Sequence, residues 1–292
     1  MMTIAGFARR LAVLAVALGL TACSMGQMVV RGSEPLMAGG LKAMNRETDL
    51  KLAKAAIPAN LEMLQGMIVE DPRNARLRLY AAQGFYAYSF GFVELHDPTR
   101  AGKLYRRGFD NARVALNVAG LKGDITRMPL RQLNAEVAQL GRRAVPALFW
   151  TATCWAEWID MNRDNPTAIA ELTRAAALMK RVLDLQEDYY YAGADLFFGV
   201  YYGSRSPMFG GNMKLARHYF DKAQAATHGK LLIVDVLRAQ YLDRQEQNRK
   251  AFHDRLTAVV NAPQGLLPEM ALANQMARAR ARYLLKQEAA WF

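Results

Sequence analysis

From about residue 50 to the C-terminus, apolar residues recur at three- and four-residue steps almost without interruption. That period lays them along one stripe of an α-helix. The breaks fall at Asp71-Pro72, Asp97-Pro98 and Asn165-Pro166. Proline there removes a backbone donor and pushes the preceding residue out of the helical region. No run alternates β-branched and polar residues as a half-buried strand would. The chain therefore reads as all-α, with helices predicted over 47–56, 58–70, 73–95, 98–119, 128–142, 145–162, 166–186, 189–203, 211–227, 230–245, 247–261 and 268–287. A hydrophobic fraction of 52% gives these helices a core to build.

The helices pair. In a tetratricopeptide-like unit, small residues stand where two antiparallel helices touch, with a bulkier one between them. Ala239, Ala251, Ala258 and Pro263 sit twelve, seven and five residues apart in that pattern. A small, bulky, small arrangement recurs at Ala101/Tyr105/Gly108, Ala168/Leu172/Ala175 and Ala216/Phe220/Ala223. Ala101, Ala168, Ala216 and Ala251 are 67, 48 and 35 residues apart, against a strict repeat of about 34. The predicted fold is an α-solenoid of degenerate tetratricopeptide-like helix pairs with insertions, spanning 47–292. A bundle with alanines recurring by chance is the plainer competitor. Stacked pairs leave a curved surface free for peptides and partner proteins, or for small ligands where insertions close the curve.

The N-terminus sets the compartment. Arg9 and Arg10 precede a run from Leu11 to Ala22 that is apolar or small throughout. A spanning helix needs roughly 20 apolar residues, so this shorter run reads as an export signal. Leu20-Thr21-Ala22-Cys23 resembles a bacterial lipobox, in which cleavage precedes the cysteine and its sulfur takes a diacylglycerol. The expected mature chain begins at Cys23 and is held to a membrane by acyl chains. Ser24 favours the outer membrane of the cell envelope, with the protein facing the periplasm. Residues 23–46, with Gly26, Gly32, Gly39, Gly40 and Pro35, read as a lipidated tether.

An exported chain is a poor partner for nucleic acid, although its formal charge of +12 falls only to +10 without Arg9 and Arg10. Arg278, Arg280 and Arg282 are the densest basic cluster. They read as a solvated face or, functionally, as a surface for anionic lipid headgroups. With Cys23 acylated, Cys154 has no disulfide partner within the chain. Beside Trp150, Trp155 and Trp158 it reads as a small buried hydrophobe.

No catalytic constellation is legible. The four histidines have no ligating neighbour at helical spacing, and no phosphate-loop or nucleophile-elbow pattern occurs. Neither a metal nor a cofactor is implied. Phe209-Gly210-Gly211-Asn212 reads as a turn with Asn212 as N-cap, or as an anion cradle. Two helices stand out. On "PALFWTATCWAEWID" Trp150, Cys154 and Trp158 share a face, which leaves Glu157 and Asp160 to find polar partners or a cavity. On "DYYYAGADLFFGVYYGSRSPMFGG" Tyr191, Asp195, Phe198, Tyr202 and Arg205 fall on one stripe. That stripe either lines an amphipathic ligand pocket, with Arg205 free to fork onto a carboxylate, or packs a helix pair through an Asp–Arg bond. Glu157 with Asp195 is the one carboxylate pair a hydrolase could use.

Read in order, "IPANLEMLQGMIVEDPRNARLRLYAAQGFYAYSFGFVE", "ALFWTATCWAEWIDMNRDNP", "SRSPMFGGNMKLARHYFDKA" and "LPEMALANQMARARARYLL" resemble one family. It is the tetratricopeptide-repeat T component of tripartite ATP-independent periplasmic (TRAP) transporters, and the likeness spans roughly residues 57–292. The resemblance implies a helical lipoprotein that encloses a pore or cleft. It further implies docking to a periplasmic solute-binding protein and transfer of a small hydrophobic or carboxylate ligand toward a permease. It brings no catalytic residues and is compatible with a homo-oligomer. A scaffold for envelope protein assembly is the alternative.

Overall fold

The computed structural model describes residues 25–292, so the export signal, Cys23 and Ser24 lie outside the described residues. All regular structure among the described residues is helical. The elements are α1 (Met25–Asn45), α2 (Leu50–Glu70), α3 (Ala75–Tyr88), α4 (Pro98–Val118), α5 (Leu130–Ala138), α6 (Val145–Asp160) and α7 (Pro166–Ala170). They continue with α8 (Leu172–Leu185), α9 (Tyr189–Gly203), α10 (Met213–Ala226), α11 (Ile233–Arg238), α12 (Arg249–Asn261) and α13 (Ala271–Trp291). The fold is a helical-repeat solenoid.

Most breaks legible in the sequence become helix starts. Asp97 accepts from the Arg100 amide as Pro98 opens α4, and Asn165 accepts from the Thr167 amide as Pro166 opens α7. Asn74, Asn212 and Asn248 cap α3, α10 and α12 in the same way. Each side-chain oxygen satisfies an amide that the first helical turn leaves unpaired. Pro58 is different. The sequence predicts a helix break just before it, with one helix ending at 56 and the next opening at 58, yet α2 runs through it, because Ile57 and Leu61 continue the buried stripe set by Ala53. Packing overrides the local preference there.

The expected tether is corrected. Residues 25–45 form α1, whose inner face buries Val30 and is tied to the end of α2 and the start of α3. Arg31 bonds Asp71 at 2.9 Å, while Glu34 accepts from Asn74 and Arg76 at 2.7 and 2.8 Å. Glycine content had disguised a helix held by tertiary contacts.

Successive helices stack as α2 on α3, α3 on α4, α4 on α6, and α6 on α8, with α9 against α10 and α12 against α13. At the α4–α6 crossing a Cβ on Gly108 would lie 2.9 Å from the Cys154 Sγ, so only glycine admits this approach. Ala216, Phe220 and Ala223 are fully buried on α10, as is Ala239 at the end of α11. Ala258 is a correction: α12 turns Phe252, Leu256 and Val259 inward, so Ala258 is exposed and Ala251 half-buried. The basic cluster is corrected too. Arg278 is 2% exposed and donates to the Ala262 and Pro263 carbonyls at 2.7 and 2.8 Å, closing the C-terminal end of α12. Arg280 is 3% exposed, and only Arg282 faces outward. These residues form no lipid-facing surface.

The last helix returns to the first. α13 packs on α1, on α2 and on the π-helical turn Ser89–Val93 that extends α3. Tyr283 Oη reaches the Leu95 carbonyl at 3.5 Å. The curve of helix pairs is closed.

Candidate functional site

Closure leaves a cleft of about 580 Å³ between the extended end of α3, the ends of α6 and α9, the π-helical turn Ala239–Asp243 after α11, and α13. Glu94, Asp160, Arg163, Tyr241, Arg244 and Arg280 are among its walls. Both π-helical turns of the described residues lie here, and such turns break helical register so that side chains are re-aimed. Gly203 lets α9 come close: a Cβ there would stand 2.7 Å from the Tyr241 carbonyl.

At the deep wall, Arg280 Nη2 donates to Glu94 Oε1 at 2.6 Å and Arg280 Nε to Gln240 Oε1 at 3.1 Å. The other Glu94 oxygen accepts from Tyr105 Oη at 2.6 Å. The Arg280 guanidinium also lies over the Phe90 ring at 4.4 Å, and its Nη1 is buried without a partner. Burial opposes the charge on Arg280, yet Glu94 outweighs it and raises its proton affinity above the ordinary arginine value.

A second acid cluster adjoins the first. Arg163 Nε donates to Asp160 Oδ1 at 2.7 Å. Burial nevertheless pushes the Asp160 carboxyl up, with Arg163 pulling the other way. Burial raises Glu157 well above the carboxylate range, and the charges of Glu94 and Asp160 add to the effect. A shift in this direction favours the neutral form of Glu157, which can donate a hydrogen bond. Burial likewise raises the Tyr86, Tyr105 and Tyr241 hydroxyls, which stay protonated.

Toward the mouth, the Arg244 guanidinium lies 3.9 Å from the Trp291 ring centroid and has no acidic partner among the described residues. Burial, then the charge of Arg163, lowers its proton affinity. A cation stacked on an indole with its donors uncommitted suits an organic anion. Among the described residues no group of histidine, cysteine and carboxylate side chains could hold a metal.

The stripe expected on α9 is not assembled. Tyr190, Tyr191 and Ala192 have φ of 50°, 60° and 56°. This left-handed turn costs roughly 1–2 kcal/mol per residue. Tyr190 anchors it, with its ring centroid 5.0 Å from Trp150 and its Oη accepting from Gln83 at 3.2 Å. Tyr191 thus leaves the line of Asp195. Asp195, 1% exposed, pairs with Lys222 at 3.2 Å and not with Arg205. Arg205 donates to the carbonyls of Tyr201, Phe209 and Gly210 at 2.9, 3.2 and 3.2 Å and fixes its own loop. Phe198 and Tyr202 close against Tyr219 at 5.3 and 5.9 Å. Trp158 is half-buried under Arg106, whose guanidinium is 5.1 Å from its ring. Glu157 neighbours Glu94 and Asp160, while Asp195 neighbours Lys222 and Glu187, so the two do not form a working pair. Cys154 is fully buried, and burial pushes its thiol far up.

Sequence reasoning reached Glu157 and Asp160 as acids in need of partners but missed Glu94, Tyr241, Arg244 and the inward role of Arg280. The available signal was a charge inside the apolar run "SFGFVEL" and another on the alanine-rich face of the last helix. A family model for the TRAP transporter T-component matches residues 46–292, most of the chain. The chain belongs to the TRAP transporter T-component family. No curated protein matches it. As a T-component the protein is an accessory part of a TRAP transport system, and the family is not a known enzyme family. The matched span contains every cleft residue named above and stops short of α1.

Proposed function

We propose that this T-component is a periplasm-facing envelope lipoprotein that docks a periplasmic solute-binding protein and holds a small amphipathic carboxylate on its way to the permease. The observation that carries the ligand reading is Arg244, uncommitted and stacked on Trp291 at a cleft with room for a small molecule. Family membership supports the partner. Cys23 anchors the chain, and Ser24 places it at the outer membrane. The mature protein is expected to cross-link to the solute-binding protein encoded beside it. It should also retain a carboxylate detectable by mass spectrometry, which Arg244→Gln should release. Absence of both the cross-link and any retained anion would remove the reading.

The interlocked rings of Phe198, Tyr202 and Tyr219 favour a second reading, a scaffold for envelope protein assembly. It predicts protein partners that bind equally well to wild type and Arg244→Gln.

A further inference from the structure

α1 presents one uncharged exposed stripe. Met25, Met28, Val29 and Leu36 are 82%, 67%, 64% and 73% exposed, and Gly32 and Gly39 continue their line at three- and four-residue steps. The opposite face is committed: Val30 is buried and Glu34, the helix's one acid, bonds Asn74 and Arg76. Rotation of α1 is thereby fixed, and the stripe is held outward. Past Leu36, Lys42 in the last turn of α1 and Arg46 just beyond its end are exposed. An uncharged apolar face edged by cations is the pattern of a helix lying in a membrane interface. No helix among the described residues is long and apolar enough to cross a membrane.

The position of Cys23 identifies what covers this face. Only Ser24 separates that cysteine from Met25. Two residues of extended chain reach at most about 7 Å. Acyl chains on Cys23 would put the first turn of α1 at the headgroups, where Met25, Met28 and Val29 have to meet lipid. We infer that α1 lies in the bilayer surface with the stripe from Met25 to Leu36 at the boundary between headgroups and acyl chains, orienting the helical body and its cleft relative to the membrane. The inference rests on the lipidation in the reading above and needs neither the solute-binding protein nor the ligand.

The test uses the lipidated protein in vesicles of phosphatidylethanolamine and phosphatidylglycerol. Single cysteines at Val29, Leu36 or Met208 carry an environment-sensitive fluorophore. Acylated Cys23 is blocked and Cys154 is fully buried, so labelling is confined to the introduced site. Met208, 87% exposed on the loop after α9, serves as the reference. Probes at Val29 and Leu36 should shift to the blue and be quenched by lipid-borne quenchers, while the Met208 probe should stay in water. Met28→Glu, at an exposed position whose change leaves the core untouched, should return the Val29 probe to water. Unquenched probes at both α1 sites on vesicle-bound protein would overturn the inference. So would cross-linking of α1 to a second copy that shields the stripe, or a mature chain whose mass shows no lipid on Cys23.

Discussion

Burial first, and the Glu94 and Asp160 carboxylates after it, hold Glu157 above the ordinary carboxylate range. The folded protein therefore binds a proton there that the unfolded chain has released above about pH 4.5. This contribution is fully present below that value and is lost as pH rises through the folded-state value. Glu157→Gln keeps the neutral form at every pH. It is expected to melt at a higher temperature than wild type near pH 8, with the gap closing toward pH 4. A constant gap in thermal melts across that range would show that Glu157 is ionised when folded. Single residues also show where spacing misleads. Ala258 satisfies the repeat pattern yet is exposed, and Arg278 looks like a surface cation yet caps α12. A residue type at a given spacing states what could pack, and the phase of the helix decides whether it does.

At the scale of elements, helix starts were the most legible feature, because Asp97, Asn165, Asn212 and Asn248 act through the amides of the next turn. Such a contact is local, so sequence contains all of it. The left-handed turn at Tyr190–Ala192 was not legible, since none of its three residues is glycine and it is held by Trp150, Phe149 and Gln83 from distant parts of the chain. The stripe drawn through Tyr191 failed for that reason. The helix α1 was missed likewise, because its partners on α2 and α3 lie about 40 residues away. Close approach of elements gives a further prediction. Gly108→Val would drive a side chain into Cys154 at the α4–α6 crossing and should lower stability by about 1–3 kcal/mol. The denaturant midpoint would fall with an unchanged slope, and an unmoved midpoint would mean the crossing relaxes freely.

For the whole molecule, the Arg280–Glu94 pair joins residues 186 apart and fastens α13 to the end of α3. Both side chains are buried, at 3% and 7% exposure. Removing one partner strands the other charge, so Arg280→Met alone should cost about 3–5 kcal/mol. Glu94→Gln with Arg280→Met should recover most of that loss in chemical unfolding. A double variant as unstable as the single would mean that Arg280 acts through packing on Phe90 and not through its charge. Helical composition, the helix starts capped by Asp97, Asn165, Asn212 and Asn248, and the family resemblance follow from neighbouring residues alone, because period, capping and motif order are local properties. Only the tertiary structure decided that the solenoid closes, which acids share a cleft, and which face of α1 is left bare. Those outcomes depend on contacts between elements far apart in the chain, where no local period records which residues will meet.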